Sequence, residues 1–113
     1  MLTIYHNARC SKSRQTLALI AKNDSEVEIV NYLDTPPTIA ALKELLKKLD
    51  MKPFDLIRKG EKIFKENFKG KEHTDAEWVK IMTENPKLIE RPIVVKGDKA
   101  ILGRPPENVK NLL

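Results

Sequence analysis

The chain has 113 residues, 41% hydrophobic and 33% charged, with a formal net charge of +5; one ordinary domain of this size builds a core without disulfides or metals. Its single cysteine excludes an intrachain disulfide scaffold and a cysteine-based zinc site, and no stretch approaches the roughly 20 apolar residues of a membrane helix. The positive excess suits anionic ligands, but with 5% aromatic residues and no helix-turn-helix or RNA-binding signature, no nucleic-acid partner and no membrane partner are expected.

Residues 2–6, Leu-Thr-Ile-Tyr-His, are apolar and β-branched enough for a first strand. Asn7 to Ser11 is polar and reads as a loop, after which Ser11 or Ser13 is placed to cap a helix running to about Lys22, with Leu17, Ile20 and Ala21 at helical spacing. Asn23-Asp24-Ser25 is a turn, and Glu26 to Tyr32, with Val27, Ile29 and Val30, is a second strand. The first 32 residues therefore form a βαβ unit, which implies parallel strands and a right-handed crossover.

Asp34-Thr35-Pro36-Pro37 ends that unit. Thr38 caps a helix carrying Ile39, Leu42, Leu45, Leu46 and Leu49 on one face. Pro53 breaks it, a short helix is expected over Phe54 to Arg58, and Ile63, Phe64 and Phe68 lie at helical spacing in the Lys-rich stretch after it. Thr74 with Glu77 three positions on is a capping-box signature for a helix to Glu84. Residues 38–86 thus read as a helical insertion between two β regions of a single domain spanning 1–113. Pro92 to Lys96 and Lys99 to Leu102 flank Gly97-Asp98 as a hairpin, and Gly103-Arg104-Pro105-Pro106 leads into a last helix. The order is satisfied by one α/β layer of four strands with helices on it.

Cys10 falls just after the first strand and at the start of the first helix, where unpaired N–H groups and partial positive charge lower a thiol pKa and attract anions. His6, Arg9, Lys12 and Arg14 crowd the same segment, and a nearby cation favours the thiolate. The plain alternative is that a lone cysteine is a small buried hydrophobe. A cysteine phosphatase loop is disfavoured, because only three residues separate Cys10 from Arg14, too few to wrap a tetrahedral anion. A dithiol redox motif fails as well: Ser13 stands where the resolving cysteine would be, so an external thiol must resolve an oxidised Cys10. The Ser13 hydroxyl is either a helix cap or a hydrogen-bond partner of the thiolate or its substrate. Arg58, Arg91 and Arg104 sit at element ends and offer forks suited to an oxyanion. Pro92, just before a strand, is a candidate cis-proline facing the Cys10 loop.

The segment Ile4-Tyr5-His6-Asn7-Ala8-Arg9-Cys10-Ser11-Lys12-Ser13-Arg14 resembles the active-site segment of the ArsC family, the glutaredoxin-linked arsenate reductases. So do Tyr32-Leu33-Asp34-Thr35-Pro36-Pro37, Leu56-Ile57-Arg58-Lys59, the run from Asn85 through Arg91-Pro92 to Val95, and Gly103-Arg104-Pro105-Pro106-Glu107. The matches keep the family's order along essentially the whole chain, which looks most like a short ArsC-related branch. The resemblance implies a thioredoxin-like fold, a four-stranded mixed sheet with a helical insertion. It implies Cys10 as nucleophile, His6 as a group lowering its pKa, and Arg58, Arg91 and Arg104 as oxyanion ligands. Asn7, Ser13 and Arg14 match supporting loop positions and Pro92 the cis-proline, while Ala8 stands where many members have proline.

On that resemblance the expected activity is glutathione- and glutaredoxin-dependent reduction of arsenate, or a similar oxyanion, to arsenite. No bound cofactor or metal is expected, with glutathione as co-substrate; the protein is expected to be a cytoplasmic monomer. Two alternatives remain: an Spx-like regulator that binds RNA polymerase, against which Ser13 and the three arginines argue, and a generic monothiol oxidoreductase, which would tolerate loss of Arg91 and Arg104.

Overall fold

The computed structural model describes residues 2–23 and 25–113. The middle of the turn expected at Asn23-Asp24-Ser25 lies outside the described residues. Two compact units emerge, one made of the chain through Thr35 together with Arg91–Leu113, the other of Pro36–Glu90.

The first unit is built on β1 (Leu2–His6), α1 (Ser11–Lys22), β2 (Val27–Asn31), β3 (Ile93–Lys96) and β4 (Lys99–Leu102). The strands form one mixed α/β sheet in the order β2-β1-β3-β4, with β1 parallel to β2 and the remaining pairs antiparallel. Strand β1 is central because its alternation buries Leu2 and Ile4 while Thr3 and Tyr5 stay half-buried. The register sets Ile4 beside Ile29 on one side and Val94 on the other. Leu2, Ile4 and Val94 then close a core with Ile20 of α1 and with Val109 and Leu112. Burial of each such side chain contributes on the order of 1.5–3 kcal/mol before entropy is counted. Lys96 pairs with Lys99 across the hairpin turn, where Gly97 adopts φ +63, a conformation that costs glycine little.

Several boundaries differ from the sequence reading. Strand β2 is shorter than Glu26–Tyr32, and Ile29 is 47% exposed because its strand lies at the sheet edge. Helix α1 buries Ser13, Thr16 and Ile20 while Ala21 is exposed. The last helix is a 3-10 segment, Pro106–Asn111, with Pro106 at its first position, where an N–H would have no intrahelical acceptor. Pro92 precedes β3 rather than opening it.

The second unit carries α2 (Ile39–Leu49), α3 (Lys62–Asn67) and α4 (Asp75–Glu84). Thr38 Oγ1 accepts the Ala41 N–H at 3.1 Å and starts α2, which buries Leu42, Leu45 and Leu46; Ile39 is exposed. The Thr74–Glu77 capping box starts α4. The helix expected over Phe54 to Arg58 is instead a 3-10 turn, Pro53–Leu56, because Ile57 turns extended to form an antiparallel bridge with Ile89. Trp78 packs against Phe54, Phe68 and His73. Among the described residues no helix is long and apolar enough to cross a membrane.

Candidate active site

Strand β1 delivers its last residue, His6, to a short loop, and Cys10 occupies the N-cap position of α1 with extended backbone, φ −94 and ψ 122. The loop is fastened at several points. The Cys10 N–H donates to Asn7 O at 3.0 Å, the Arg9 N–H donates to Asn7 Oδ1 at 3.0 Å, and Arg14 Nη1 donates to Ala8 O at 2.8 Å. Arg14 thus ties down the loop at Ala8.

Ser13 caps nothing, and neither does Ser11: α1 has no side-chain cap. Ser13 is fully buried, its Oγ 2.6 Å from His6 Nδ1, and it accepts the Asn7 N–H at 3.1 Å. The Ser13 hydroxyl joins the end of β1, the loop and the helix, and the tautomer of His6 decides which of the two partners donates between them.

Burial pushes the Cys10 thiol up, yet the net result is a thiol held below its ordinary value. The opposing causes, largest first, are the backbone N–H of Ser13, the Arg91 guanidinium, the backbone N–H of Lys12 and the Arg104 guanidinium. Two first-turn amides and two cations therefore do what the helix-start argument anticipated. The expectation that His6 lowers the thiol pKa is corrected in its means. Burial first, and the Arg14 charge second, push the imidazole below its ordinary value, so the neutral form is favoured. A neutral ring supplies no charge to the sulfur; what His6 supplies is the hydrogen bond that holds Ser13.

Arg91 is 7% exposed and precedes Pro92, whose peptide bond is cis. The Arg104–Pro105 bond is cis too, a feature the sequence reading did not assign. Arg104 Nη1 donates to Arg91 O at 3.3 Å, so the two arginine segments are linked. Gly103, also unassigned from sequence, makes that approach possible: its N–H donates to Pro92 O at 2.9 Å. A Cβ there would stand 2.7 Å from Pro92 Cγ and collide with Thr16 Oγ1. The signal was present as a glycine directly before an Arg-Pro pair.

The structure thus brings Cys10, His6, Asn7, Ser13, Arg14, Arg91, Pro92 and Arg104 together within one unit. Arg58 belongs to the helical unit. There its N–H donates to Leu88 O at 2.7 Å and its guanidinium pairs with Glu61 at 3.1 Å. A thiolate faced by two guanidinium groups can attack an electrophilic oxyanion while the cations offset the negative charge of its oxygens.

Comparison with known proteins identifies the family. The sequence profile of the ArsC family matches residues 5–112. The chain is 47% identical to Uncharacterized protein YfgD of Escherichia coli strain K12, over 97% of this chain and 94% of that one. It is 40% identical to Arsenate reductase of Haemophilus influenzae, covering 97% of each. Among solved structures, Arsenate reductase from Vibrio cholerae superposes with a TM-score of 0.94 at 41% identity, covering 99% of this chain and 97% of that one. The fold is thioredoxin-like, and the chain belongs to the ArsC family.

Proposed function

We propose that the protein is an arsenate reductase that works through Cys10 and is regenerated by glutathione and glutaredoxin. The observation that supports this most is the thiol itself: buried, yet held toward thiolate by the Ser13 and Lys12 amides and by Arg91 and Arg104. Relatives of similar length at 37% and 40% identity bear the name arsenate reductase.

In the cycle we propose, Arg91 and Arg104 bind arsenate oxygens, and Arg58 is assigned the same role on the family motif alone. The Cys10 sulfur attacks arsenic; an As–S bond forms, an As–O bond breaks, and the oxygen departs as water after protonation. The cations offset charge as it builds on the remaining oxygens. A glutathione thiolate then adds to arsenic and a second water leaves. A glutaredoxin thiolate attacks the glutathione sulfur, and the As–S pair of electrons stays on arsenic, reducing it from As(V) to As(III). Hydrolysis of the remaining Cys10–arsenic bond frees arsenite and the thiol. The sum is arsenate and two thiols giving arsenite, one mixed disulfide and one water. Glutathione is consumed rather than held, and the cycle calls on no bound cofactor. The reducing cytoplasm is where a lone thiol persists and these reductants are found.

The test is arsenate-dependent NADPH oxidation coupled through glutathione, glutaredoxin and glutathione reductase. Cys10→Ser is expected to abolish it, and Arg91→Ala to lower kcat/KM by at least about tenfold. Full activity of Cys10→Ser would refute the proposal.

A further inference from the structure

A concavity of about 340 Å³ opens beside the Cys10 loop on the β2 side. It exists because β1 and β2 run parallel in a register that pairs His6 with Asn31, so both carboxyl ends leave the sheet at one place. Crevices at such strand ends are where α/β sheets bind ligands. Asn7 and Arg9 form one wall; Asn31, Leu33 and Asp34 form the other. Both walls are braced: the Arg9 N–H is held by Asn7 Oδ1, and the Asp34 and Thr35 N–H groups donate to Asn31 O at 3.0 and 2.9 Å.

The charges are specific. Arg9 is the cation lining this cleft and Asp34 the carboxylate. Among the described residues neither makes an ion pair. His6, which also borders the cleft, is kept toward its neutral form. A simple oxyanion would meet Asp34 as a repulsive neighbour, and a simple cation would meet Arg9. A group carrying both charges on one carbon satisfies both: its carboxylate faces Arg9 and the amide nitrogen of Asn7, its ammonium faces Asp34. Arg9 directly precedes the nucleophile, so a thiol anchored by such a group has a short way to reach sulfur.

We propose that this cleft is the docking site for the free amino-acid end, ammonium and carboxylate together, of the peptide thiol that regenerates Cys10. The proposal rests on the reading that a low-molecular-weight thiol performs that step, and it assigns Arg9 and Asp34 the recognition of that thiol. Glutathione has such an end in its γ-glutamyl residue.

The test needs no arsenate. Cys10 of the full chain is converted to its mixed disulfide with thionitrobenzoate. An incoming thiolate attacks the Cys10 sulfur, the S–S bond breaks, and thionitrobenzoate leaves as a coloured thiolate. Glutathione, N-acetylglutathione and 2-mercaptoethanol are compared as attackers. Wild-type protein is expected to react at least about fivefold faster with glutathione than with the acetylated form, and Asp34→Asn and Arg9→Gln to slow glutathione about tenfold. Both variants should react with 2-mercaptoethanol within about twofold of wild type, since the acceptor disulfide is unchanged. Equal rates with glutathione and N-acetylglutathione on the wild type would overturn the proposal without any substitution. So would variants that lose the same factor against both attackers, or that lose nothing. Because arsenate is absent, an inactive protein in the coupled assay leaves this result standing, and a negative result here leaves arsenate reduction standing.

Discussion

Replacing Ser13 with alanine separates the scaffold of the site from its chemistry. The Oγ is buried, lies 2.6 Å from His6 Nδ1 and accepts the Asn7 N–H at 3.1 Å. Alanine fits the space but strands both partners. A buried imidazole nitrogen without a partner costs about 1–3 kcal/mol, and the part-buried Asn7 N–H, able to find water, about 0.5 kcal/mol. A total near 2.5 kcal/mol follows. With an unfolding entropy of about 2.1 cal/mol/K per residue, the melting temperature should fall by about 10 °C. The thiolate should respond much less, because Ser13 acts on sulfur through its backbone N–H, which alanine retains. Thermal melts by circular dichroism give the first quantity, and the pH dependence of Cys10 alkylation by iodoacetamide gives the second. A melt within about 2 °C of wild type would refute the assigned hydrogen bonds. An alkylation midpoint shifted up as far as in an arginine variant would refute the division between side chain and backbone.

Arg91→Ala should raise that alkylation midpoint toward the ordinary thiol value, since a cation that favours the thiolate is removed; an unchanged midpoint would refute the role given to Arg91. Gly103→Ala forces a methyl against Pro92 and Thr16 and should cost about 1–3 kcal/mol in denaturant melts. It should also lower arsenate turnover by displacing Arg104; wild-type stability and turnover would contradict the close approach. The neutral His6 makes stability pH-dependent. Its folded pKa is depressed, so the unfolded chain binds more protons in the window between the folded value and about 6.5. Stability is therefore full above that window and is lost as pH falls through it. His6→Gln should flatten this part of the urea-melt profile, and an unaltered slope would point to another group.

Much of the fold was legible because local chemistry and tertiary context agree. Strand β1, the start of α2 at Thr38, the Thr74–Glu77 box and the Gly97-Asp98 hairpin each depend on neighbours in sequence. Other features depend on distant parts of the chain. Ile29 fits a buried strand by type, yet exposure is decided by which strand ends up at the edge. Ser13 has every local mark of a helix cap, yet a histidine seven residues earlier claims its hydroxyl. Gly103 and the Arg104–Pro105 bond matter only because β4 returns beside Pro92 and α1, a long-range approach that periodicity cannot encode.

The same distinction bears on the thiol. Position and neighbouring charge in the sequence pointed to an activated Cys10, and the direction is right, but the nearest charged-looking group was credited wrongly. Burying a sulfur raises its pKa, and burying an imidazole lowers its own; both follow from one low-dielectric surrounding. A neutral His6 therefore comes with the burial that Cys10 must overcome. The compensation has to come from groups that burial does not discharge, namely peptide N–H dipoles and guanidinium. That is why two amides of α1 and two arginines from the far end of the chain, rather than the adjacent histidine, hold the sulfur toward its reactive form. It also explains why the segments carrying those arginines are joined to each other and to α1 through Arg91 O, Pro92 O and Gly103. A charge that must offset desolvation is useful only if its distance from the sulfur is fixed.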